Sequence, residues 1–301
     1  MKRLLITGGT VFVSKFIATY FSSKDYEVYV LNRGTKPQIP NVKLIRSDRH
    51  SLSTKLNDTF FDVIIDVCAY TLSDIQSLLD SGVTFNHYFF ISSSAVYPET
   101  NTQPFVETQI LGPNKIWGKY GTDKLAAEKY LLSRVPHAYI LRPPYLYGPM
   151  QNVYREPFVF ECAQKGRPFY IPKDGKMKLQ FFHVEDLCKM IETLFHLTPD
   201  EHIYNVGNPE TISINTFVEL CYQIVNTPLE KRYVLQHPNQ RDYFSFHDYE
   251  YCLDVTKQNQ LLGPTKDLYE GLRESYNWYT EHPNDVVKKP YIDFIMRNFE
   301  S

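Results

Sequence analysis

Along the first half of the chain, apolar residues come in short, nearly continuous runs separated by amphipathic stretches. Arg3–Thr7, YEVYVLN (Tyr26–Asn32), NVKLIRSD ending near Asp48, FDVIIDVCA (Phe61–Ala69) and HYFFISSS (His87–Ser94) each predict a strand. Ser14–Ser22, DIQSLLDS and YGTDKLAAEKYLLSR (Tyr120–Arg134) predict helices, and AYILRPPYLYG a further strand. Strands apolar on both faces, alternating with helices, imply a parallel sheet covered on both sides. Right-handed crossovers then give an α/β, Rossmann-like doubly wound layer, which takes ligands at the carboxyl ends of its strands.

The pattern changes after Gly148-Pro149. Residues 150–182, rich in Pro, Gly and aromatics, read as irregular, HVEDLCKMIETLFHL and SINTFVELCYQIV as helices, HIYNVGN as a strand, and YNWYTEHP as the last helix. The expected organisation is a dinucleotide-binding core over 1–149 with a return near 183–206, and a smaller α/β substrate lobe from 150–182 and 207–301. No internal repeat or low-complexity linker interrupts the chain.

Composition narrows the class. Charged residues are 22% of the 301, and the formal net charge of −2 argues against a general polyanion binder. Aromatics are abundant at 15%, so aromatic packing is expected to be prominent. The five Cys have neither CxxC nor Cys/His metal spacing and read as free thiols in a reducing compartment. The histidines are spread without metal spacing, so no metal site is expected. The opening MKRLLITGG is too short for a signal-peptide core, and no later run has the length of a membrane span, so a cytoplasmic protein without a membrane partner is expected.

Three stretches carry chemistry. In LLITGGTVFVSKF a strand runs into Thr7-Gly8-Gly9-Thr10 and a helix; Gly8 permits a tight turn and the helix N–H groups face an anion. Val11 and Ser14 replace two further glycines of a dinucleotide turn, so a weaker or differently seated cofactor is expected. A plain strand–turn–helix fits the same letters. The second strand ends in Asn32-Arg33-Gly34, without the carboxylate that would accept from an NAD ribose; Arg33 suits a 2′-phosphate and tilts the expectation from NAD to NADP. In YGTDK, Tyr120 and Lys124 share a helix face. A nearby ammonium can lower a phenol from its usual ~10 by about 1–3 units and make it a usable base. Tyr20 and Lys24 match the same spacing at the far end of the first helix. What separates Tyr120 is the strand before it, ending in SSSAVY, whose Ser93 and Ser94 emerge at the carboxyl edge of the sheet.

The order TGGT, NRG, SSSAVY, YGTDK, RPPYLYGP, HVEDL, YNVGN resembles the extended short-chain dehydrogenase/reductases, the NAD-dependent epimerase/dehydratase family, over most of the chain. The resemblance implies an NAD(P)-dependent epimerase or reductase acting on the hydroxyl or carbonyl of a sugar or sugar nucleotide. It makes Tyr120 the catalytic acid/base, and has Lys124 lower its pKa and hold the nicotinamide ribose. Ser93 polarises the reacting oxygen, with Ser94 as its alternate. Thr7, Gly8, Thr10, Phe12 and Val13 line the pyrophosphate, Arg33 the adenosine ribose, Asp48 and Arg49 the adenine, and Ala69 the cofactor. Pro143 and Tyr145 flank the nicotinamide, and Tyr145, Ser94 and Arg241 face the substrate. Arg142 and Lys178 are further candidate phosphate partners. The resemblance leaves a homodimer open.

Departures matter as much. The acid pair that 4,6-dehydratases carry after the catalytic hydroxyl is here Ser94-Ala95, which disfavours dehydration. The Arg-Asp pair many epimerases carry before HVxDL is here Leu179-Gln180. The glycine-poor turn, LNRG, the Gln-Phe-Phe-His run and ESYNWY also resemble a branch of chloroplast stem-loop RNA-binding proteins. That offers an alternative: a Rossmann-fold RNA-binding or regulatory protein with weak or no catalysis. SSSAVY is no nucleophile elbow, so serine hydrolysis is disfavoured.

Overall fold

A computed structural model describes every residue except Ser53 and Ser301. The elements alternate through β1 (Lys2–Thr7), α1 (Phe12–Ser22), β2 (Tyr26–Asn32), β3 (Val42–Arg46), β4 (Phe60–Asp66), α2 (Leu72–Leu79), β5 (Thr84–Ile91), α3 (Lys119–Arg134) and β6 (Tyr139–Arg142). With β10 (Ile203–Asn205) added, they form a seven-stranded sheet in the order β3-β2-β1-β4-β5-β6-β10. Every neighbouring pair is parallel. The fold is therefore α/β, a Rossmann-like doubly wound layer whose order reverses at β1 and β4, the topological switch point where such sheets bind ligands.

Period-two alternation divides the core. Leu4, Ile6, Val28, Val30, Val63 and Ile65 point to one face, where Ile17 and Phe21 of α1 meet Leu187, Ile191 and Leu194 of α5 (Val184–Leu197). Leu5, Ile64, Tyr88 and Phe90 point to the other, against Ile75 and Leu78 of α2 and Ala127 and Leu131 of α3.

The second core is aromatic. Phe158, Phe169, Phe181, Phe217, Tyr222, Phe244, Phe246 and Tyr279 are buried in one cluster. It is built from β7 (Tyr145–Tyr147), α4 (Glu156–Gln164), β8 (Phe169–Pro172), β9 (Lys178–His183), α6 (Ile214–Val225), α8 (Leu268–Glu281) and α9 (Tyr291–Asn298). β11 (Thr211–Ser213), β9 and β7 make a small sheet, and β12 (Lys231–Val234) pairs with β8. α7 (Thr256–Asn259) is a single turn.

Several expectations need correction. The stretch 150–182 is not irregular: it contains α4, β8 and the start of β9, whose aromatics are apolar in every direction and so show no period. AYILRPPYLYG is two strands, because Pro143-Pro144 can donate no ladder hydrogen bond and breaks it into β6 and β7. β5 ends at Ile91, one residue before the serines, and α9 follows what had read as the last helix.

Candidate active site

The turn after β1 is set by Thr7 and two glycines. The buried Thr7 hydroxyl donates to Asp66 Oδ1 at 2.7 Å and accepts from the N–H groups of Val67 at 3.0 Å and Cys68 at 3.1 Å. It thus ties β1 to the end of β4 instead of facing a ligand. Gly8 and Gly9 have φ of +93° and +89°, a region that favours glycine. A Cβ on Gly8 would lie 2.6 Å from Cys68 Sγ, and one on Gly9 2.6 Å from Val30 Cγ1. α1 then begins at Phe12, with Val11 at its N-cap. No side chain caps it and its first turn holds no acid, so it offers backbone N–H groups to an anion.

A cavity lies on each side of this turn. One, of about 400 Å³, is lined by Thr7, Gly8, Arg33, Asp48, Arg49 and Cys68. Asn32, in the place of the missing carboxylate, donates to Gly8 O at 2.6 Å and accepts from Gly34 N at 2.8 Å. The exposed Arg33 guanidinium makes no hydrogen bond or ion pair among the described residues. Asp48 caps the short helix that follows, accepting from His50 N at 2.9 Å. Arg49 lines the same cavity but is already paired. Its guanidinium forks onto the fully buried Asp66 carboxylate and its Nε donates to Asp74 O at 2.8 Å. Burial pushes the Asp66 carboxyl upward, but Arg49, Tyr88 and Thr7 outweigh it and hold the group below its ordinary value.

The second cavity, about 480 Å³, is a cleft over the carboxyl ends of β4, β5 and β6. Phe12, Val13, Ser93, Tyr120, Lys124 and Pro143 all line it. One glycine makes this convergence possible: a Cβ on Gly121 would strike Ala95 O at 2.4 Å, so α3 presses against the turn at Ser94–Val96. That contact sets Tyr120, next along α3, beside Ser93. Tyr120 as a residue is 39% exposed, and Lys124 only 2%. Lys124 Nζ donates to Ala69 O at 2.7 Å and Ile91 O at 2.8 Å, and lies 4.7 Å from the Phe90 ring centroid. Burial lowers its pKa to about 8 against the pull of Asp66.

The ammonium does not lower the phenol as expected. Desolvation around the Tyr120 hydroxyl raises its pKa, and the influence acting against it is the nearby Ser93 hydroxyl. The physical reason is that Lys124 is held by two backbone carbonyls.

Other expected residues lie elsewhere. Ser94 is buried, donates to Tyr251 Oη at 3.2 Å, and does not line the cleft. Tyr145 is packed among Trp117, Phe246 and Tyr251 in the aromatic core. Arg241 lines a separate cavity with Lys289 and Arg297 and donates to Ser245 O. Thr10 faces another cavity with Lys15 and Lys36. Ala69 is fully buried and meets the cleft only through the carbonyl that holds Lys124. Arg142 is no phosphate partner: it is buried and forked onto Glu128 at 3.1 Å and 2.7 Å. Lys178 begins β9 as an exposed residue outside the cleft. His183 is the N-cap of α5, its Nδ1 accepting from Glu185 N at 3.3 Å.

Asp66 and Arg155 escaped the sequence reading. Asp66 had a signal, as the last acid in an otherwise apolar strand; Arg155, in a segment without period, had none.

The two cavities share Cys68 and flank the uncapped start of α1, and this donor set fits a dinucleotide with its diphosphate at the helix end. Val11 and Phe12 border the cleft without entering the lining of the Arg33 cavity.

Residues 69–207 match the model of the NAD dependent epimerase/dehydratase family. A chloroplast stem-loop binding protein of 41 kDa from Arabidopsis thaliana is 26% identical over 92% of this chain and 79% of its own length. A trifunctional UDP-glucose 4,6-dehydratase/UDP-4-keto-6-deoxy-D-glucose 3,5-epimerase/UDP-4-keto-L-rhamnose-reductase of the same plant is 25% identical over 94% of this chain. The chain spans only 47% of that enzyme's length. Among solved structures, UDP-glucuronic acid 4-epimerase from Bacillus cereus, in complex with UDP-glucuronic acid and NAD, superposes with a TM-score of 0.74. It is 20% identical and is covered over 99% of its length by 93% of this chain.

Proposed function

We infer that this chain, a relative of the NAD-dependent epimerase/dehydratase family with the motifs of an extended short-chain dehydrogenase/reductase, is an NAD(P)-dependent enzyme of that type. It interconverts the hydroxyl and carbonyl forms of a sugar or sugar nucleotide, as an epimerase or a reductase. The observation that carries this reading is that Ser93, Tyr120 and Lys124 line one cleft beside the uncapped start of α1. The similarity to epimerases and dehydratases supports it.

Each side chain has a task there. Tyr120, protonated in the cleft as it stands, delivers a proton from its Oη to a reacting carbonyl oxygen, or removes one from a hydroxyl in the reverse direction. Ser93 hydrogen-bonds the same oxygen and favours the phenolate when it forms. Lys124 brings a positive charge to the same cleft and, at a pKa of about 8, can change its own proton near neutrality. A bound nicotinamide supplies or accepts the hydride. Arg33, free of protein partners among the described residues, favours NADP through its 2′-phosphate. Calorimetric titration with NAD and NADP tests this: NADP is expected to bind more tightly, tighter NAD overturns the preference, and binding of neither overturns the reading.

RNA binding is a second reading, favoured by the 26% identity to a stem-loop binding protein. A steep fall in stem-loop affinity with salt would support it, and no binding at low salt would remove it. Among the described residues no helix is long and apolar enough to cross a membrane.

A further inference from the structure

Away from the Tyr120 cleft, a cavity of about 600 Å³ lies between the short turn Gln240–Asp242 and α9. The two share no residue in their described linings. Three cations line this cavity, Arg241, Lys289 and Arg297, against one acid, Asp242. That acid is already engaged: its Oδ1 accepts from Asn239 Nδ2 at 2.7 Å, and its Oδ2 lies 3.0 Å from His237 Nε2. None of the three cations forms an ion pair among the described residues. Lys288, one residue before Lys289, does so, pairing with Glu161 at 2.8 Å. Backbone carbonyls set the two guanidinium groups. Arg241 Nη1 donates to Ser245 O, and Arg297 Nε donates to Asp293 O at 3.1 Å. Each keeps further N–H donors without a partner among the described residues. Apolar rings complete the wall: Tyr291 and Phe294, three residues apart, share a face of α9. Tyr291 stacks on Tyr154 at 5.9 Å and Phe294 meets His237 edge-on at 5.3 Å, so neighbours fix both rings.

Unpaired cations gathered around one concavity repel one another, and an anionic ligand relieves that repulsion. Guanidinium and ammonium donors suit phosphate oxygens, and the volume is that of a small-molecule site. Cations grouped about a cavity, instead of strung along a face, favour a small molecule over a polynucleotide. We propose that this cavity binds a small organic phosphate, its phosphate held by Arg241, Lys289 and Arg297 and its carbon part laid against Tyr291 and Phe294. Such a ligand sits apart from the cleft that holds Tyr120, and its binding requires neither a dinucleotide nor turnover.

The test is calorimetry on the full chain without dinucleotide, with phenyl phosphate and inorganic phosphate as probes. Phenyl phosphate is expected to bind the wild type, and to bind it more tightly than inorganic phosphate does. Lys289→Gln and Arg297→Gln, both at exposed positions, should each weaken it by about 10-fold, through loss of a charge-assisted hydrogen bond. Arg297→Lys, which keeps the charge, should lose less. Lys36→Gln removes an exposed cation from a different cavity and should change nothing. No binding by wild type, or binding unmoved in both Lys289→Gln and Arg297→Gln, overturns the proposal. A loss confined to Lys36→Gln also overturns it, because the anion then sits beside α1. Equal affinity for the two probes overturns the part assigned to the rings. If phenyl phosphate does not bind but a stem-loop RNA does, and the same variants weaken it, the surface contacts a polynucleotide and the small-ligand proposal falls. None of these outcomes depends on whether the chain binds NAD, so the functional reading stands or falls separately.

Discussion

Two tyrosine–lysine pairs in this protein share a spacing and little else. Near the end of α1, Lys24 donates to Tyr20 Oη at 2.7 Å, and Tyr20 donates in turn to Glu192 at 2.8 Å. Glu192, from α5, also pairs with Lys24. Burial and this carboxylate push the Tyr20 phenol well above its ordinary value, so it is a poor base. At Tyr120 the lysine makes no such bond among the described residues; it is held by two backbone carbonyls, in a cleft whose described lining includes no carboxylate. The pair in direct contact is therefore the one unsuited to catalysis. Helical spacing puts two side chains on one face; the acceptors that neighbouring elements bring decide which of them is free to react.

The strongest way to break this contrast is to remove each phenol. Tyr120→Phe is expected to lower kcat by about 10²- to 10⁴-fold, the usual worth of a positioned acid/base, while Tyr20→Phe leaves kcat unchanged in the same steady-state assay. Equal effects would erase the distinction.

Next comes Lys124. Its pKa is about 8 when folded against a reference of 10.5, so between those values the unfolded chain binds the extra proton and stability rises with pH. Below pH 8 both states hold the proton, so this group then adds no pH dependence. From pH 8 to about 9.5 the gain is roughly 2 kcal/mol. Urea denaturation across that range should show it, and Lys124→Met should abolish it while Lys24→Met does not.

A smaller effect sharpens the structural side of the comparison. Tyr20→Phe loses its hydrogen bond to Glu192 and should cost about 1 kcal/mol in the same denaturation experiment, since the site is partly exposed. The smallest concerns the turn: Val11→Gly, which lets a diphosphate approach the start of α1 more closely, should tighten NAD binding a few-fold by calorimetry.

The sheet was readable in the letters because buried parallel strands are apolar on both faces, as FDVIIDVCA shows in β4. α4 and β8 were not, because Phe158, Phe160 and Phe169 fill an aromatic core from several sides and leave no polar face to mark a period. Motif order brought out Ser93, Tyr120 and Lys124, which line one cleft. The same order misassigned Ser94, which turns inward to Tyr251, and gave no sign that Arg49, on the cavity wall, is paired with Asp66 of β4. Such captures join residues far apart in the chain, so local pattern does not report them.

The most direct test of the Tyr120 cleft is a single-turnover measurement at 340 nm on protein loaded with NAD and mixed with UDP-glucuronic acid or UDP-glucose. The account predicts a rise in absorbance, as the dinucleotide is reduced, in wild type and in Tyr20→Phe, and its near-complete loss in Tyr120→Phe with NAD still bound. An undiminished rise in Tyr120→Phe would contradict it.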